Sequence, residues 1–355
     1  MKIAIITDLH FGARNDNVAF SEYFSKFYLE QFFPTLESKG ITAVFDLGDT
    51  FDRRKYINYN SLQACKEYFF NQIKHRNMHL SMLVGNHDTY FKNTNSINSP
   101  NLLLREFKDC ITIYSEAQDI NLPSGVKIAM VPWICSGNYN ETMNYIKTTS
   151  AQIMMGHLEI AGFEMYRGAI CDHGFDRKIF DKFDMVMSGH YHHKSSYGNI
   201  SYLGAPYEMT WSDWNDPRGF HIFDSDTREL TFIQNKFKMF HKVHYDDSES
   251  SLEDIMNIDF NSLNGSMVKV IVRNKNNPYW FDMFINKVES VTPLDLQVVE
   301  DNFNLNLEDD SDITENVEDT LTVLNKYTAQ FSDKVNVTKL NSFLRDLYHE
   351  ALSVE

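Results

Sequence analysis

The sequence predicts an α/β fold: a β-sandwich flanked by helices, followed by a small α/β cap and a C-terminal helical hairpin. Three observations point to it. Nine short apolar runs recur through the first 235 residues, longer stretches with helical spacing separate the early runs, and the texture changes after about residue 240.

The apolar runs are "KIAIIT" (2–7), "TAVFDL" (42–47), "HLSMLV" (79–84), "VKIAMV" (126–131), "AQIMM" (151–155), "FDMVMS" (183–188), "ISYLG" (200–204), "FHIFD" (220–224) and "LTFIQ" (230–234). Their length and β-branched content suit buried strands. Segments 18–38 and 60–76 have helical spacing. Helical connections early and hairpin-like spacing late predict a sandwich whose second half is richer in antiparallel strands. This body is expected to span 1–240. Beyond it, "SMVKVIV" (266–272), "PYWFDMFINKVES" (278–290) and "LDLQVVE" (294–300) read as strand, helix and strand, a cap over 241–300. Residues 301–312 read as an acidic linker. Across 313–355, Ile313, Val317, Leu321, Leu324 and Phe331, then Val337, Leu340, Leu344, Leu347 and Ala351, recur at helical spacing. Two helices this short need another surface to pack on.

The 355 residues carry a formal charge of -16, which at first argues against a nucleic-acid partner. The distribution reverses that inference. Residues 246–261 and 300–319 together hold 15 acids and no Lys or Arg, so the rest of the chain is nearly neutral. No apolar run reaches the ~18 residues of a membrane span, and "MKIAIITDLH" reads as a first strand rather than a secretory signal. Cys65, Cys110, Cys135 and Cys171 lie far apart without a CxxC. That spacing predicts reduced thiols in a cytoplasmic protein and speaks against a disulfide framework or a structural zinc site.

Five of the predicted strands stop at metal-competent side chains. "KIAIIT" runs into Asp8 and His10, and "TAVFDL" into Asp49 and Asp52. "HLSMLV" runs into Asn86, His87 and Asp88, "AQIMM" into His157 and Glu159, and "FDMVMS" into His190 and His192. In an open α/β sheet, ligands gather beyond the carboxyl ends of the strands. Carboxylate, amide and imidazole donors without thiolate suit manganese, iron or zinc better than magnesium. The donors are too many for one tetrahedral ion and fit two ions sharing a carboxylate. Two such ions ~3.5–4 Å apart clamp a phosphate and stabilise attacking and leaving oxygens. Taken singly, each residue has an ordinary reading: a lone histidine is more often packing, "GD" is a common turn, and "NHD" can cap a helix.

The set "DLH" (8–10), "GDTFD" (48–52), "GNHD" (85–88), "GH" (156–157) and "GHYH" (189–192) resembles the signature of calcineurin-like metallophosphoesterases. Through "VPWICSGN", "GHLEIAGFEMYRG" and "NDPRGFHIFD" the chain resembles the SbcD-type DNA repair nucleases within that superfamily, closest to those of T-even-like phages. The resemblance covers roughly 1–235 and is only architectural beyond.

It implies one ion held by Asp8, His10, Asp49 and His192, and a second held by Asp49, Asn86, His157 and His190, with manganese as the expected metal. His87 would give a proton to the leaving oxygen or stabilise charge there. Asp88 either accepts the other ring N–H of His87 or caps a helix. Asp52, where some relatives carry His, orients His87 or a water at the site, or supports the loop. Arg53, Arg54 and Lys55 either contact phosphate or form a solvated turn. Tyr191 is expected to pack under the site and His193 to stand by. Trp211 and Trp214 are expected to pack, with stacking on bases as the alternative.

The resemblance further implies a DNA nuclease, acting as a 3′-5′ exonuclease on duplex and an endonuclease on single strands. Its partner would be a coiled-coil SMC-like ATPase docked on 313–355. A homodimer within a heterotetramer is implied, at work in recombination and break processing in the host-cell cytoplasm if phage-encoded. The competing reading is a phosphatase or phosphodiesterase acting on a small molecule or phosphoprotein. A scaffold without productive metals fares worst, because every implied ligand is present.

Overall fold

A computed structural model describes residues 1–300, apart from 167 and 249, together with residue 340. The expected linker and the helical hairpin, that one position aside, lie outside the described residues. Two six-stranded sheets pack face to face. The first has the order β14-β13-β1-β2-β3-β4 and consists of β1 (Lys2–Ile6), β2 (Ala43–Asp46), β3 (His79–Leu83), β4 (Ile111–Tyr114), β13 (Gly219–Asp224) and β14 (Leu230–Gln234). The second has the order β11-β12-β10-β7-β6-β5. It consists of β5 (Gln118–Asn121), β6 (Lys127–Val131), β7 (Ile153–His157), β10 (Met185–Gly189), β11 (Ser195–Tyr197) and β12 (Ile200–Tyr202). A small hairpin, β8 (Glu164–Tyr166) and β9 (Ala169–Ile170), sits in the β7–β10 connection.

Strands buried on both faces explain the continuous apolar runs. In β1, Ile3 and Ile5 face the second sheet, meeting Met155 and Met187, while Ala4 and Ile6 face the outer helices. The helix Val18–Phe27 begins at Asn17, whose side chain accepts from the Ala19 amide at 2.9 Å. It buries Phe20, Tyr23, Phe24 and Phe27, each worth about 1.5–3 kcal/mol relative to exposure. A widened turn at Tyr28–Phe32 joins it to the helix Phe33–Ser38. The extra residue in that turn accommodates Pro34, whose ring and missing N–H would break a regular helix.

The second half is richer in antiparallel strands, as the spacing predicts. β1 to β4 pair with one another in parallel, whereas β5–β6, β8–β9, β11–β12, β13–β14 and β1–β13 are antiparallel, around a parallel centre of β6, β7, β10 and β12. β10 reaches its parallel neighbour β12 through β11, which folds out to the sheet's edge.

A third sheet, β15 (Phe240–Asp246), β16 (Met267–Asn274) and β17 (Asp295–Glu300), is all parallel. The helices Leu252–Asn257 and Pro278–Ser290 cover it around Tyr245, Val270, Phe284 and Val288. It is tied to the body where Glu208 Oε2 accepts from the amides of Met239 (2.7 Å) and Phe240 (3.0 Å). Trp211 is buried against Phe240, with Lys269 over its ring, and Lys242 lies over Trp214. Both tryptophans are therefore packing residues.

Candidate metal centre

The carboxyl ends of β1, β2, β3, β7 and β10 open onto one rim, and the loops that follow them are laced together before any side chain is considered. Asp8, His10 and Phe11 amides donate to the Gly48, Asp49 and Thr50 carbonyls at 2.9–3.0 Å, continuing the β1–β2 pairing into the loops. The chain bends hard there. Asp8, His10, Asp49 and His190 all have positive φ, at 56°, 44°, 56° and 91°, and strain of this kind collects at functional sites. Close approach also explains Gly85: a Cβ there would meet the Asp49 amide nitrogen and Oδ1 at 2.2 Å.

Two groups of donors form on this rim. Asp8, His10 and His192 make one, and Asp49, His157 and His190 the other, each with ligand atoms within 4.8 Å of one another. Asn86 Oδ1 joins the second, 2.9 Å from both His157 Nε2 and His190 Nδ1. Asp49 Oδ2 lies 3.3 Å from His157 Nε2 and 3.9 Å from His10 Nε2, between the groups. Glu159 stands apart.

The donor chemistry fits divalent cations. His157 Nδ1 gives its proton to the Leu47 carbonyl (2.8 Å), which leaves Nε2 for the rim. There it converges with His190 Nδ1 on one amide oxygen that can only accept. In the other group, His10 Nε2 and His192 Nε2 face each other at 3.0 Å. Nitrogens brought this close need a proton or a cation between them. Ionisation tells the same story. Burial opposes charge on His10 and His157, but Asp52, Asp49 and Asp8 around the first outweigh it, as do Asp49 and Asp8 around the second. Both rise to about 9. Burial and His157 push His190 down to about 3, and burial and His10 push His192 well below its usual value. Asp49 is buried, yet His157, His87 and His10 hold its carboxyl well below the ordinary range. The buried acids thus gather protons onto two imidazoles, a charge that metal ions can replace. When bound, such ions neutralise a phosphate and polarise a phosphoryl oxygen.

His87 sits beside these groups, its ring centroid 4.9 Å from that of His10. Its amide donates to Asp49 Oδ1 at 2.7 Å. Its Nδ1 lies 2.6 Å from the Asp52 carbonyl oxygen, which fixes the proton on that nitrogen.

The structure overturns the helix-cap expectation for Asp88, since no helix starts at 88. Oδ2 accepts from the amides of Gly85 (2.9 Å), Asp49 (3.0 Å) and Thr50 (3.4 Å), and Oδ1 from Phe51 (3.1 Å). Those amides compete successfully because the β2 and β3 loops touch, leaving buried N–H groups that need an acceptor. Asp52 orients His87 through its backbone carbonyl, and its carboxylate lies 3.3 Å from His10 Nδ1. Arg53 is tied to Asp16 and Asn15, and Arg54 to Thr89, so both brace the rim. Tyr191 packs beneath the site, stacked on Tyr202. His193 bonds to Asp216 at 2.9 Å, away from both donor groups.

Two contributors escaped the sequence. Trp133, half-buried just beyond β6, sets its ring 5.1 Å from His190 and 6.1 Å from His157. The rule about strand ends applied to β6 as well and would have found it. Arg218, buried between Asp213 and Asp216, donates to the His192 carbonyl; no local pattern announces that contact.

A helix-flanked sandwich with such a rim defines a metal-dependent phosphoesterase. A family model described as calcineurin-like phosphoesterase matches residues 1–194. The chain is 30% identical to exonuclease subunit 1 of enterobacteria phage T4 over 358 aligned positions, 99% of each chain. It is 24% identical to the D subunit of the nuclease SbcCD from Staphylococcus saprophyticus, across 57% of this chain and 51% of that one. Among solved structures, an archaeal phosphodiesterase aligns only loosely, at a TM-score of 0.32 and 13% identity over 66% of this chain and 99% of that one. The chain belongs to the calcineurin-like phosphoesterase family. Among the described residues, no helix is long and apolar enough to cross a membrane.

Proposed function

We propose that this phosphoesterase is the DNA-cleaving subunit of a two-component recombination nuclease. One observation carries the reading. The family match ends at residue 194, whereas the similarity to the phage exonuclease subunit runs through 99% of both chains. The last third is therefore shared with a nuclease subunit rather than with phosphoesterases at large, and this favours a nuclease over a small-molecule or protein phosphatase.

One ion is held by Asp8, His10, Asp49 and His192, the other by Asp49, Asn86, His157 and His190, with Asp49 shared. The mixed oxygen and nitrogen donors favour manganese. His87, its Nδ1 proton fixed, serves the leaving oxygen through Nε2. Residues 1–240 form the nuclease body and 241–300 a cap that contacts DNA. The linker 301–312 leads to a helical hairpin, 313–355, that docks on a coiled-coil ATPase. Two nuclease and two ATPase chains make the working unit, in the cytoplasm of the host cell. It degrades duplex 3′-5′ and cuts single strands, weakly until the ATPase feeds the substrate.

The test is a cleavage assay on labelled duplex and single-stranded DNA, with manganese or magnesium, with and without the ATPase. DNA cleavage that needs manganese and rises with the ATPase is expected. Hydrolysis of para-nitrophenyl phosphate or a phosphopeptide far faster than DNA would overturn the reading. Deleting 313–355 should abolish ATPase binding and spare the weak manganese-dependent activity.

A further inference from the structure

The β7–β10 connection carries a second constellation of metal-competent side chains, separate from the rim. Glu159, Cys171 and His173 each bring one donor atom, all within 4.8 Å of one another. Cys171 is fully buried, Glu159 half-buried and His173 exposed. His173 Nε2 lies 3.3 Å from Glu159 Oε1, and the Cys171 thiol donates to the His173 carbonyl at 3.0 Å.

Two features hold these donors in place. The backbone closes on itself: the Phe175 amide donates to Glu159 O (2.8 Å), Cys171 to Phe163 O (2.8 Å) and Gly162 to Cys171 O (2.7 Å). Gly174, at φ +101°, lets the chain fold back, since a Cβ there would meet the Glu159 carbonyl oxygen at 2.5 Å. Independently, Asp172 Oδ1 lies 3.1 Å from His173 Nδ1. A carboxylate behind one ring nitrogen keeps the proton there and turns the other lone pair toward its neighbours, the arrangement found behind metal-bound imidazoles.

We propose that Glu159, Cys171 and His173 form a third metal site, one that takes Zn2+ with solvent completing the tetrahedron. Sulfur, nitrogen and oxygen in one site select zinc over the harder ions suited to the rim. Binding converts the Cys171 thiol to thiolate and releases its proton to solvent. The spacing escaped a search for paired cysteines because the single thiol is joined by a histidine two residues on and a glutamate twelve residues back. The ion would pin both ends of the 159–173 loop, which begins two residues beyond His157.

The reduced full-length chain, stripped with chelator, is titrated with Co2+ under nitrogen. A thiolate-to-cobalt charge-transfer band in the near-ultraviolet reports this site alone, since the rim donors include no sulfur. The expected result is one equivalent of cobalt giving the band, its displacement by Zn2+, and its loss in Cys171→Ser and in His173→Ala. In Asp172→Asn, about tenfold weaker binding is expected. His173 and Asp172 are exposed, so their variants fold even if Cys171→Ser does not. Absence of the band at saturating cobalt, or its persistence in either Cys171→Ser or His173→Ala, would overturn the proposal.

Discussion

The two sheets contribute unlike things to the rim. The first supplies every carboxylate in the two donor groups, Asp8 and Asp49, together with Asn86, His10 and His87. The second supplies imidazoles alone: His157, His190 and His192. Negative charge is thus concentrated on one side and imidazole donors on the other. The acids also hold the opposite side in place, since Asp8 accepts the His190 amide at 3.1 Å. Acid loss should therefore remove both attraction for cations and alignment, whereas imidazole loss should remove a single donor.

The largest expected effect tests this asymmetry. Asp49→Asn, at the position between the groups, should lower phosphodiester cleavage on the order of 10³-fold and lower metal content with it. His190→Ala should weaken metal affinity on the order of 10–100-fold, read by equilibrium dialysis. Equal losses in the two variants would erase the distinction. Next comes His87→Ala. Cleavage should fall on the order of 10²-fold while metal content stays that of the unaltered chain; lost metal would place His87 among the ligands instead.

A smaller effect is expected behind the rim. Asp88→Ala strips the acceptor from four buried amides and should cost about 3 kcal/mol in urea unfolding. A change under about 0.5 kcal/mol would show that those amides find other partners. The last lies outside both halves. Burial raises the Glu208 carboxyl to about 7, the Phe240 and Met239 amides offsetting only part. Because the folded value exceeds the ordinary 4.5, the native chain keeps a proton that the unfolded chain has released between pH 4.5 and about 7. Stability should fall as pH rises across that window and level off above it. Glu208→Gln keeps an acceptor without the ionisation and should flatten this part of the urea-midpoint profile.

The sequence disclosed what periodicity and strand termini encode. The ends of β1, β2, β3, β7 and β10 could be read because a buried parallel strand is continuously apolar until the loop that carries its polar residues. Pro278–Ser290 was legible from its apolar spacing and its proline at the first turn. Edge strands such as β4 and β11 were not, because they are partly exposed and lack a continuous apolar run. Asp88 and Arg218 were illegible for a deeper reason. Each satisfies main-chain groups supplied by another part of the fold, Asp88 across 37 to 39 residues for the β2 loop and Arg218 across 26 for His192. No local run of letters records which amide or carbonyl will be left wanting.

By gathering four amides from two loops, the Asp88 carboxylate makes the turns bearing Asp49 and His87 move as one body. An incoming phosphodiester therefore meets a fixed template, and accommodation falls to the substrate. A substrate whose phosphodiester bends easily into place would be cut sooner than one that resists deformation.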